Sequence, residues 1–293
     1  MRYNNRVIFD WIAGMFVVAA MVTPKGISAR NRYLLTSLIR SVTGPFTVQE
    51  AATTLALPIT RTQRFLAYLA ERGWLVRVCR GLYAPVPLDA IHPDEWREDP
   101  WVIAAKLFGP DYYIGGWTAC ENWSLTEQIF LDTVVLTTRE TRRKEVSIQG
   151  FPFLVKHVSE SRVFGTNPVW RDQTKVDVSD PSRTLVDILE VPSIGGGLRH
   201  VVDIMDRYFK EEYRNDELLV AYVRQVGNRV VFKRLGFLLE VLNVHAPELL
   251  RACEDSVSSG VSRLDPGLPN RGPVAWRWNL RVNRTIQLEE EFS

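Results

Sequence analysis

An arginine-rich segment in the first quarter of the chain carries side chains that could form hydrogen bonds with DNA bases. Arg61, Gln63 and Arg64 lie close together in the sequence. An arginine can form two hydrogen bonds with guanine in the major groove, and glutamine can do the same with adenine. Each well-formed pair contributes roughly 1–3 kcal/mol of discrimination against the wrong base. We therefore predict a DNA-contacting set that consists of Arg30, Arg32, Thr60, Arg61, Gln63, Arg64, Tyr68, Arg77 and Arg80.

Three helices are predicted to position these side chains. The first helix ends at Gly44-Pro45 and has apolar residues at helical spacing, namely Leu34, Leu35, Leu38, Ile39 and Val42. Thr47 and Glu50 form a T-x-x-E capping box, in which each side chain satisfies a free backbone donor of the other residue. The second helix follows this box, and its single apolar face is formed by Val48, Ala51, Ala52 and Leu55.

The third helix is predicted at about residues 60–72, with Thr60 as its N-cap and Gly73 at its end. Its inner side is formed by Phe65, Leu66 and Leu69. Its opposite side carries Thr60, Gln63, Arg64, Ala67 and Glu71, with Arg61 and Tyr68 at the flank. The polar side of this helix is therefore predicted to face the DNA groove.

A β-hairpin is predicted directly after the third helix. Residues 74–79 and 82–84 read as strands, and Arg80-Gly81 forms the turn between them. Arg77 and Arg80 would then contact phosphates or the minor groove. Three helices followed by a hairpin predict a winged helix-turn-helix. Some modules of this kind contact only other proteins, so this alternative stays open beside DNA binding.

The distribution of charge supports a division into domains. The whole chain of 293 residues has a formal net charge of only +2. However, residues 28–86 contain eight arginines and two glutamates, whereas residues 87–293 contain 25 basic and 31 acidic residues. One domain that faces a polyanion and a second domain with a different task would explain this difference, although a basic domain can also serve solubility alone.

We predict an α+β fold with four segments along the chain. Residues 1–28 form an N-terminal extension and residues 29–86 the winged helix-turn-helix. Residues 87–99 form a linker rich in prolines and acids, and residues 100–293 form a larger mixed α/β domain. In this domain helices are predicted at about 101–108, 115–125, 182–189, 198–209, 216–226 and 229–244, and strands at about 133–138, 153–158, 175–178 and 274–282.

Composition and motifs argue against an enzyme, a cofactor or a metal site. The three cysteines are far apart, the four histidines are isolated, and the sequence contains no CxxC, GxSxG, HExxH or phosphate-loop motif. The apolar run at residues 12–22 is too short to span a bilayer comfortably, so no membrane contact is expected. We predict a cytoplasmic protein whose first 27 residues are ancillary.

Two patterns in the second half leave alternatives open. Gly195-Gly196-Gly197 and Gly115-Gly116 could hold a phosphate, but a loop or tight turn beside a helix is the favoured interpretation. Four aspartates, namely Asp172, Asp177, Asp180 and Asp187, could indicate a metal-dependent nuclease. Asp180 or Ser182 as a helix cap is favoured instead. A nucleic-acid-processing enzyme and a ligand-sensing regulator therefore stay as alternative functions.

Four parts of the sequence together match the pattern of a known family. They are Arg80-Gly81-Leu82-Tyr83, the stretch from Tyr113 to Ala119, the stretch from Asp180 to Asp187 with Gly195-Gly196-Gly197, and the stretch from Trp278 to Asn283. In these residues the chain resembles the AbiEi antitoxins of AbiE-type (type IV) toxin–antitoxin systems. The resemblance implies a bacterial transcriptional autorepressor whose winged helix binds inverted repeats in double-stranded DNA. It also implies a second domain that counteracts a cognate nucleotidyltransferase-like toxin. The hydrophobic N-terminal residues depart from the family pattern.

Overall fold

The computed structural model describes residues 26–90, 92, 95–141 and 143–286. The chain divides into two compact units, and the division lies between Arg97 and Glu98. Most of the predicted N-terminal extension, residues 1–25, lies outside the described residues. Within the described ranges, none of the helices combines the length and the apolar character that a bilayer crossing requires.

The first unit consists of three helices and a small antiparallel sheet. Its elements are α1 (Ala29–Ser41), β1 (Phe46–Thr47), α2 (Val48–Leu55), α3 (Ile59–Glu71), β2 (Leu75–Cys79) and β3 (Leu82–Pro85). The strand order is β1-β3-β2. This is the predicted order of three helices followed by a hairpin, and β2 and β3 form the hairpin. Strand β1 was not predicted, because two residues are too few to show an alternating pattern.

The capping box of α2 is confirmed. The Thr47 hydroxyl accepts a hydrogen bond from the backbone N–H of Glu50 at 3.2 Å, and a Glu50 carboxylate oxygen accepts one from the backbone N–H of Thr47 at 2.7 Å. The apolar faces of the helices and hairpin meet in one core, which contains Leu35, Leu38, Phe46, Ala51, Phe65, Leu66, Leu69, Leu75 and Tyr83.

The prediction of Thr60 as the cap of the third helix is wrong. Helix α3 begins at Ile59, its N-cap residue is Pro58, and no side chain caps it. Pro58 has extended backbone angles, so the chain becomes helical directly after it and Thr60 already lies inside the first turn. The side chain that bonds near this end is that of Thr62, whose hydroxyl donates to the carbonyl oxygen of Pro58 at 3.2 Å.

The second unit is built on a six-stranded mixed sheet. Its strands are β4 (Tyr112–Ile114), β5 (Thr133–Thr137), β6 (Glu145–Ile148), β7 (Phe151–His157), β8 (Thr166–Arg171) and β9 (Thr174–Ser179), in the order β6-β7-β5-β4-β9-β8. Strands β5 and β7 pair in parallel, as do β4 and β9, and the other neighbours are antiparallel. The sequence pattern had not separated β4, β6 and β8 from their surroundings.

Seven helices accompany this sheet among the described residues. They are α4 (Pro100–Phe108), α5 (Gly116–Asn122), α6 (Pro181–Glu190), α7 (Leu198–Lys210), α8 (Asp216–Val226), α9 (Arg229–Val241) and α10 (Pro247–Asp255). Helix α6 is buried along nearly its whole length, from Ser182 to Leu189. Its residues and those of α7 to α10 contribute to the largest core of the molecule, together with the inner face of the sheet. The predicted α+β class, with a larger mixed second part, is confirmed.

The final predicted strand, residues 274–282, is wrong as a continuous element. Strands β10 (Ser262–Arg263), β11 (Val274–Ala275) and β12 (Leu280–Arg281) form a small sheet, and a 3-10 turn over Trp276–Trp278 interrupts the last two. This turn brings Trp278 into the core, where it is 1% exposed. Burial of the large indole ring therefore outweighs the local strand preference.

Candidate nucleic-acid interface

The two faces of helix α3 differ sharply in their environment. Arg61, Gln63 and Arg64 are exposed, while the neighbouring Thr62 and Phe65 are buried. A helical repeat of 3.6 residues produces this division, because the residues toward the core recur every three or four positions. As predicted, Phe65, Leu66 and Leu69 form the inner side, and Thr60, Arg61, Gln63, Arg64, Ala67 and Glu71 are exposed. The apolar Ile59, the first residue of the helix, is exposed as well.

The turn between α2 and α3 holds the two helices together. Ala56 adopts a left-handed conformation with φ 49°, and the backbone N–H of Leu57 donates to the carbonyl oxygen of Ala52 at 3.1 Å. Ala51 and Ala52 of α2 are 0% and 6% exposed. Their small side chains allow α2 and α3 to approach closely, and this approach buries them. The turn and the close packing of α2 on α3 therefore set the orientation of the exposed α3 face.

The charge at the start of α3 is uncompensated within the described part of the chain. The first turn of α3 contains no acidic residue, and no described carboxylate forms an ion pair with Arg61 or Arg64. The N-terminal end of a helix also carries a partial positive charge. Arginine side chains and helix dipole together make this end of α3 a suitable surface for a polyanion.

Tyr68 differs from the other candidate DNA contacts in its burial and in its contact with a neighbouring side chain. It is only half-exposed, and the guanidinium carbon of Arg72 lies 4.5 Å from the centroid of its ring. Arg72 also donates to the carbonyl oxygen of Gly26 at 3.2 Å. Tyr68 therefore has a structural contact with Arg72 that we had not predicted, although the four-residue spacing on one helix was a signal for it.

The hairpin presents two further arginines. Arg77 and Arg80 are exposed, and Gly81 completes the turn with φ +84°, a conformation that side chains other than glycine rarely adopt. The register shifts between Arg77 and Cys79, so that β2 contains a bulge beside the turn. The carbonyl oxygen of Gly81 accepts a hydrogen bond from the backbone N–H of Val48 at 3.1 Å. This bond ties the hairpin of β2 and β3, which we call the wing, to the start of α2.

Arg30 and Arg32 are exposed in the first turn of α1. The Ser28 hydroxyl caps this helix by accepting a hydrogen bond from the backbone N–H of Asn31 at 3.3 Å. The predicted charged contacts thus occupy exposed positions on three elements of one unit: the start of α1, the start of α3 and the wing. Arg61, Gln63 and Arg64 share a helical turn, whereas Arg30, Arg32, Arg77 and Arg80 belong to the other two elements.

The four aspartates of the second unit do not come together in a group that could hold a metal ion in the described part of the chain. Asp180 caps α6, accepting from the backbone N–H of Arg183 at 2.8 Å, and it also accepts from the Tyr222 hydroxyl at 2.7 Å. Asp187 is buried and pairs with Arg183 at 3.0 Å. Among the described residues, no group of three or more His, Cys, Asp or Glu side chains could hold a metal ion. The interpretation of Asp180 as a helix cap is confirmed.

The triple glycine motif between α6 and α7 allows close packing. A Cβ atom on Gly195 would lie 2.8 Å from Cβ of Ile188 and 2.9 Å from Cγ2 of Val201. Gly196 and Gly197 both have positive φ angles, of 81° and 91°. The glycines therefore let the chain reverse tightly between two buried helices.

Comparison with known proteins agrees with this geometry. Residues 33–86 match the family model described as "Transcriptional regulator, AbiEi antitoxin". The matched segment runs from α1 to the end of the hairpin, so the resemblance to AbiEi antitoxins is confirmed for the first unit, which is similar to transcriptional regulators of that family. No curated protein matches the chain.

The fold of nearly the whole chain is similar to a solved structure, the crystal structure of the RV2827C protein from Mycobacterium tuberculosis. The TM-score is 0.61 at 16% sequence identity, and the similarity covers 89% of this chain and 94% of that chain. At this identity the likeness concerns the fold alone.

Proposed function

We propose that the protein is a DNA-binding transcriptional autorepressor and the antitoxin of a toxin–antitoxin operon. In this proposal the winged helix-turn-helix of residues 29–86 binds an inverted repeat in the operator, residues 87–99 link it to the second domain, and residues 100–293 counteract a nucleotidyltransferase-like toxin. Such a regulator acts in the cytoplasm.

The exposed face of α3 is the observation that carries the DNA-binding part. An α-helix with its side chains is about 10–12 Å across, which fits the major groove of about 12 Å. Arg61, Gln63 and Arg64 lie at the N-terminal end of the helix, where recognition helices contact bases. Arg77 and Arg80 on the wing, and Arg30 and Arg32 on α1, supply the phosphate contacts that fix the position on the duplex.

An inverted repeat requires two copies of the unit on one operator. Each copy would read one half-site, with half-site centres about one helical turn of DNA, or a multiple of it, apart. Specific binding in the range of about 10⁻⁸–10⁻¹¹ M with a strong salt dependence is expected. The description of the matched family as a regulator supports this role.

The double variant Arg61→Ala/Arg64→Ala tests the proposed reading helix. Each lost base contact costs roughly 1–3 kcal/mol, so operator affinity should fall by about 30-fold or more. Mobility shift of labelled promoter DNA at one fixed salt concentration measures the effect. The control is Arg224→Ala/Arg251→Ala, which removes the same charge from exposed positions of the second unit. If the α3 variant binds promoter DNA as tightly as the wild type, α3 does not read the operator.

The proposed antitoxin role is tested by the growth of cells that express the toxin. The gene is coexpressed with the toxin encoded by the neighbouring reading frame, and the wild type should restore growth. Because the proposal places neutralisation in the second domain, Arg61→Ala/Arg64→Ala should still restore growth from a heterologous promoter. Failure of the wild type to restore growth would remove the antitoxin role and leave DNA binding to be decided separately.

A further inference from the structure

An aliphatic residue interrupts the polar character of the exposed face of α3. Ile59 is the first residue of this helix, is 46% exposed and is not one of the residues that form the core of the described first unit. It does not cap the helix either, since the N-cap residue is Pro58. A single exposed aliphatic residue needs no explanation by itself, so the neighbours of Ile59 on the helix surface decide what it can do.

Ile59 lies beside Gln63 on the surface of α3. Four residues advance an α-helix by one turn and about 40°, so these two side chains are neighbours. Thr60 and Ala67, which lie three residues before and four residues after Gln63, are its other exposed neighbours. Ile59, Thr60 and Ala67 each present a methyl group, and the Gln63 amide lies among them. We call these four residues the methyl side of α3.

The two arginines lie on the other part of the exposed face. Arg64 follows Gln63 directly, which is a rotation of about 100° around the helix axis. Arg61, three residues before Arg64, lies about 60° farther in the same direction. Both arginines are exposed, and we call them the arginine side of α3. Ile59 and Arg61 therefore mark the opposite flanks of one exposed surface.

Base edges in the major groove offer different partners to these two sides. Adenine presents one acceptor and one donor, which a glutamine amide can bind with two hydrogen bonds. Guanine presents two acceptors, which an arginine can bind in the same way. Among the four bases only thymine adds an apolar group, its C5 methyl. An A·T pair thus offers both an adenine edge for Gln63 and a methyl group for a neighbouring aliphatic side chain.

We infer that Ile59 is a specificity-determining residue that contacts the C5 methyl group of a thymine in the operator half-site. Gln63 binds an adenine in the same base pair or in the next one, whereas Arg61 and Arg64 bind guanines farther along the groove. Each half-site therefore has an A·T part under the methyl side and a G·C part under the arginine side. The inference rests on the proposed DNA-binding function and adds the base sequence that this surface selects.

Replacement of thymine by deoxyuridine tests the inference, because it removes the C5 methyl group and leaves the base pairing unchanged. Footprinting with the full chain first locates the half-sites on the DNA directly upstream of its coding sequence. Duplexes that carry deoxyuridine at one thymine position at a time are then titrated at one fixed salt concentration. Burial of one methyl group contributes about fourfold to affinity, so one position in each half-site should show a loss of this size with the wild type.

The variant Ile59→Ala identifies the side chain that contacts the methyl group. At the position found with the wild type, the loss caused by deoxyuridine should shrink from about fourfold to less than about twofold. The matched control is Ile39→Ala, which removes the same side chain from α1, where it is 41% exposed, and should keep the full loss. The melting temperatures of both variants should stay at the wild-type value, as expected of exposed positions.

Modified purines locate the two sides relative to each other. The bases 7-deazaadenine and 7-deazaguanine lack the N7 acceptor that glutamine and arginine use. Gln63→Ala should be insensitive to 7-deazaadenine in the base pair of the Ile59-dependent thymine or in the adjacent pair. Arg64→Ala should be insensitive to 7-deazaguanine at a position outside these pairs. An Arg64-dependent guanine between the Ile59-dependent thymine and the Gln63-dependent adenine would overturn the assignment of two sides.

The outcomes separate this inference from the proposed function. Promoter binding that deoxyuridine does not weaken at any position would overturn the inference and leave the proposed DNA binding intact. The inference would also be wrong if Ile59→Ala kept the wild-type loss at every position, because another group would then contact the methyl. Failure of the wild type to bind the upstream DNA would overturn the proposed function, and the inference with it.

Discussion

Arg61 and Arg64 of the first unit are exposed, whereas Arg183 and Arg234 of the second unit are 0% and 4% exposed. Arg183 donates to the Tyr113 hydroxyl at 2.8 Å and pairs with Asp187 at 3.0 Å. The same residue type therefore serves two purposes in one chain. The arginines on α3 are available to an external polyanion, and these two arginines of the second unit hold its own backbone and carboxylates together.

Arg234 illustrates the internal use most clearly. Its guanidinium group donates to the carbonyl oxygens of Leu189 at 2.7 Å and Glu190 at 2.9 Å, at the end of α6, and to that of Arg263 at 3.1 Å. Burial lowers the pKa of Arg234 to about 10, so the group remains charged at neutral pH. Net charge alone thus does not identify a nucleic-acid surface. An arginine must also be exposed and free of internal partners to be available to nucleic acid.

The largest expected effect is a loss of stability after removal of the buried carboxylate that pairs with Arg183. Asp187→Ala would leave Arg183 buried without its carboxylate, and we expect the free energy of unfolding to fall by about 3–5 kcal/mol. Chemical denaturation followed by circular dichroism measures the loss. The control is Asp206→Ala, which removes a surface pair with Lys210 at 2.8 Å and should cost no more than about 1 kcal/mol.

Equal stability of Asp187→Ala and Asp206→Ala would contradict the structural role of Arg183. The contrast also predicts that Arg61→Ala/Arg64→Ala, which should weaken operator binding, changes the free energy of unfolding by no more than about 0.5 kcal/mol, as expected of surface substitutions.

A smaller effect, on DNA affinity and its salt dependence, is expected when the two arginines of the wing are replaced. Arg77→Ala/Arg80→Ala removes two proposed phosphate contacts, so the slope of log K against log salt should become shallower by about 1.8. Affinity should fall by a similar factor for operator and unrelated DNA, because phosphates carry no base information. Titrations at several salt concentrations measure both quantities. A loss confined to operator DNA would instead indicate that the wing reads bases.

The smallest effect concerns how the stability of the second unit depends on pH. Burial acts to raise the pKa of Glu190, but hydrogen bonds from Asn228 and Arg162 outweigh it, and the pKa lies below its ordinary value. A carboxyl group with a lowered pKa in the folded state stabilises the fold at neutral pH, and this contribution is lost as the pH falls through the acid range.

Glu190→Gln should therefore flatten the loss of stability below about pH 5, where the unfolded carboxyl begins to bind a proton. Urea unfolding of the variant and the wild type at a series of pH values tests this. Parallel stability curves for the two proteins would show that Glu190 does not contribute to the acid sensitivity.

Local signals predicted the first unit well. The Thr47–Glu50 box, the inner face of α3 and the Arg80-Gly81 turn each depend on residues within a few positions of one another, so the sequence carries them directly. The wrong prediction of Thr60 as the N-cap of α3 also has a local cause. Several residues near a helix start can act as cap, and the backbone angles of Pro58 placed the start one residue earlier.

The contacts of the connection between α5 and β5, residues 124–132, could not be predicted in this way. Its Thr126 hydroxyl bonds His200 across 74 residues, and its Phe130 stacks on a tryptophan of the preceding helix. The glycine motifs had suggested phosphate binding as an alternative, and only the three-dimensional structure shows that Gly196 makes room for Phe130 and His200. No periodicity marks such a contact.

The sequence by itself determined the helical faces, the capping box and the concentration of arginine in residues 28–86, because each follows from spacing along a regular backbone. The tertiary structure decided which arginines remain exposed, which aspartates are caps or buried partners, and which aliphatic residues face solvent. Burial and pairing depend on contacts between residues far apart in the chain, and those contacts exist only once the helices pack on the sheet.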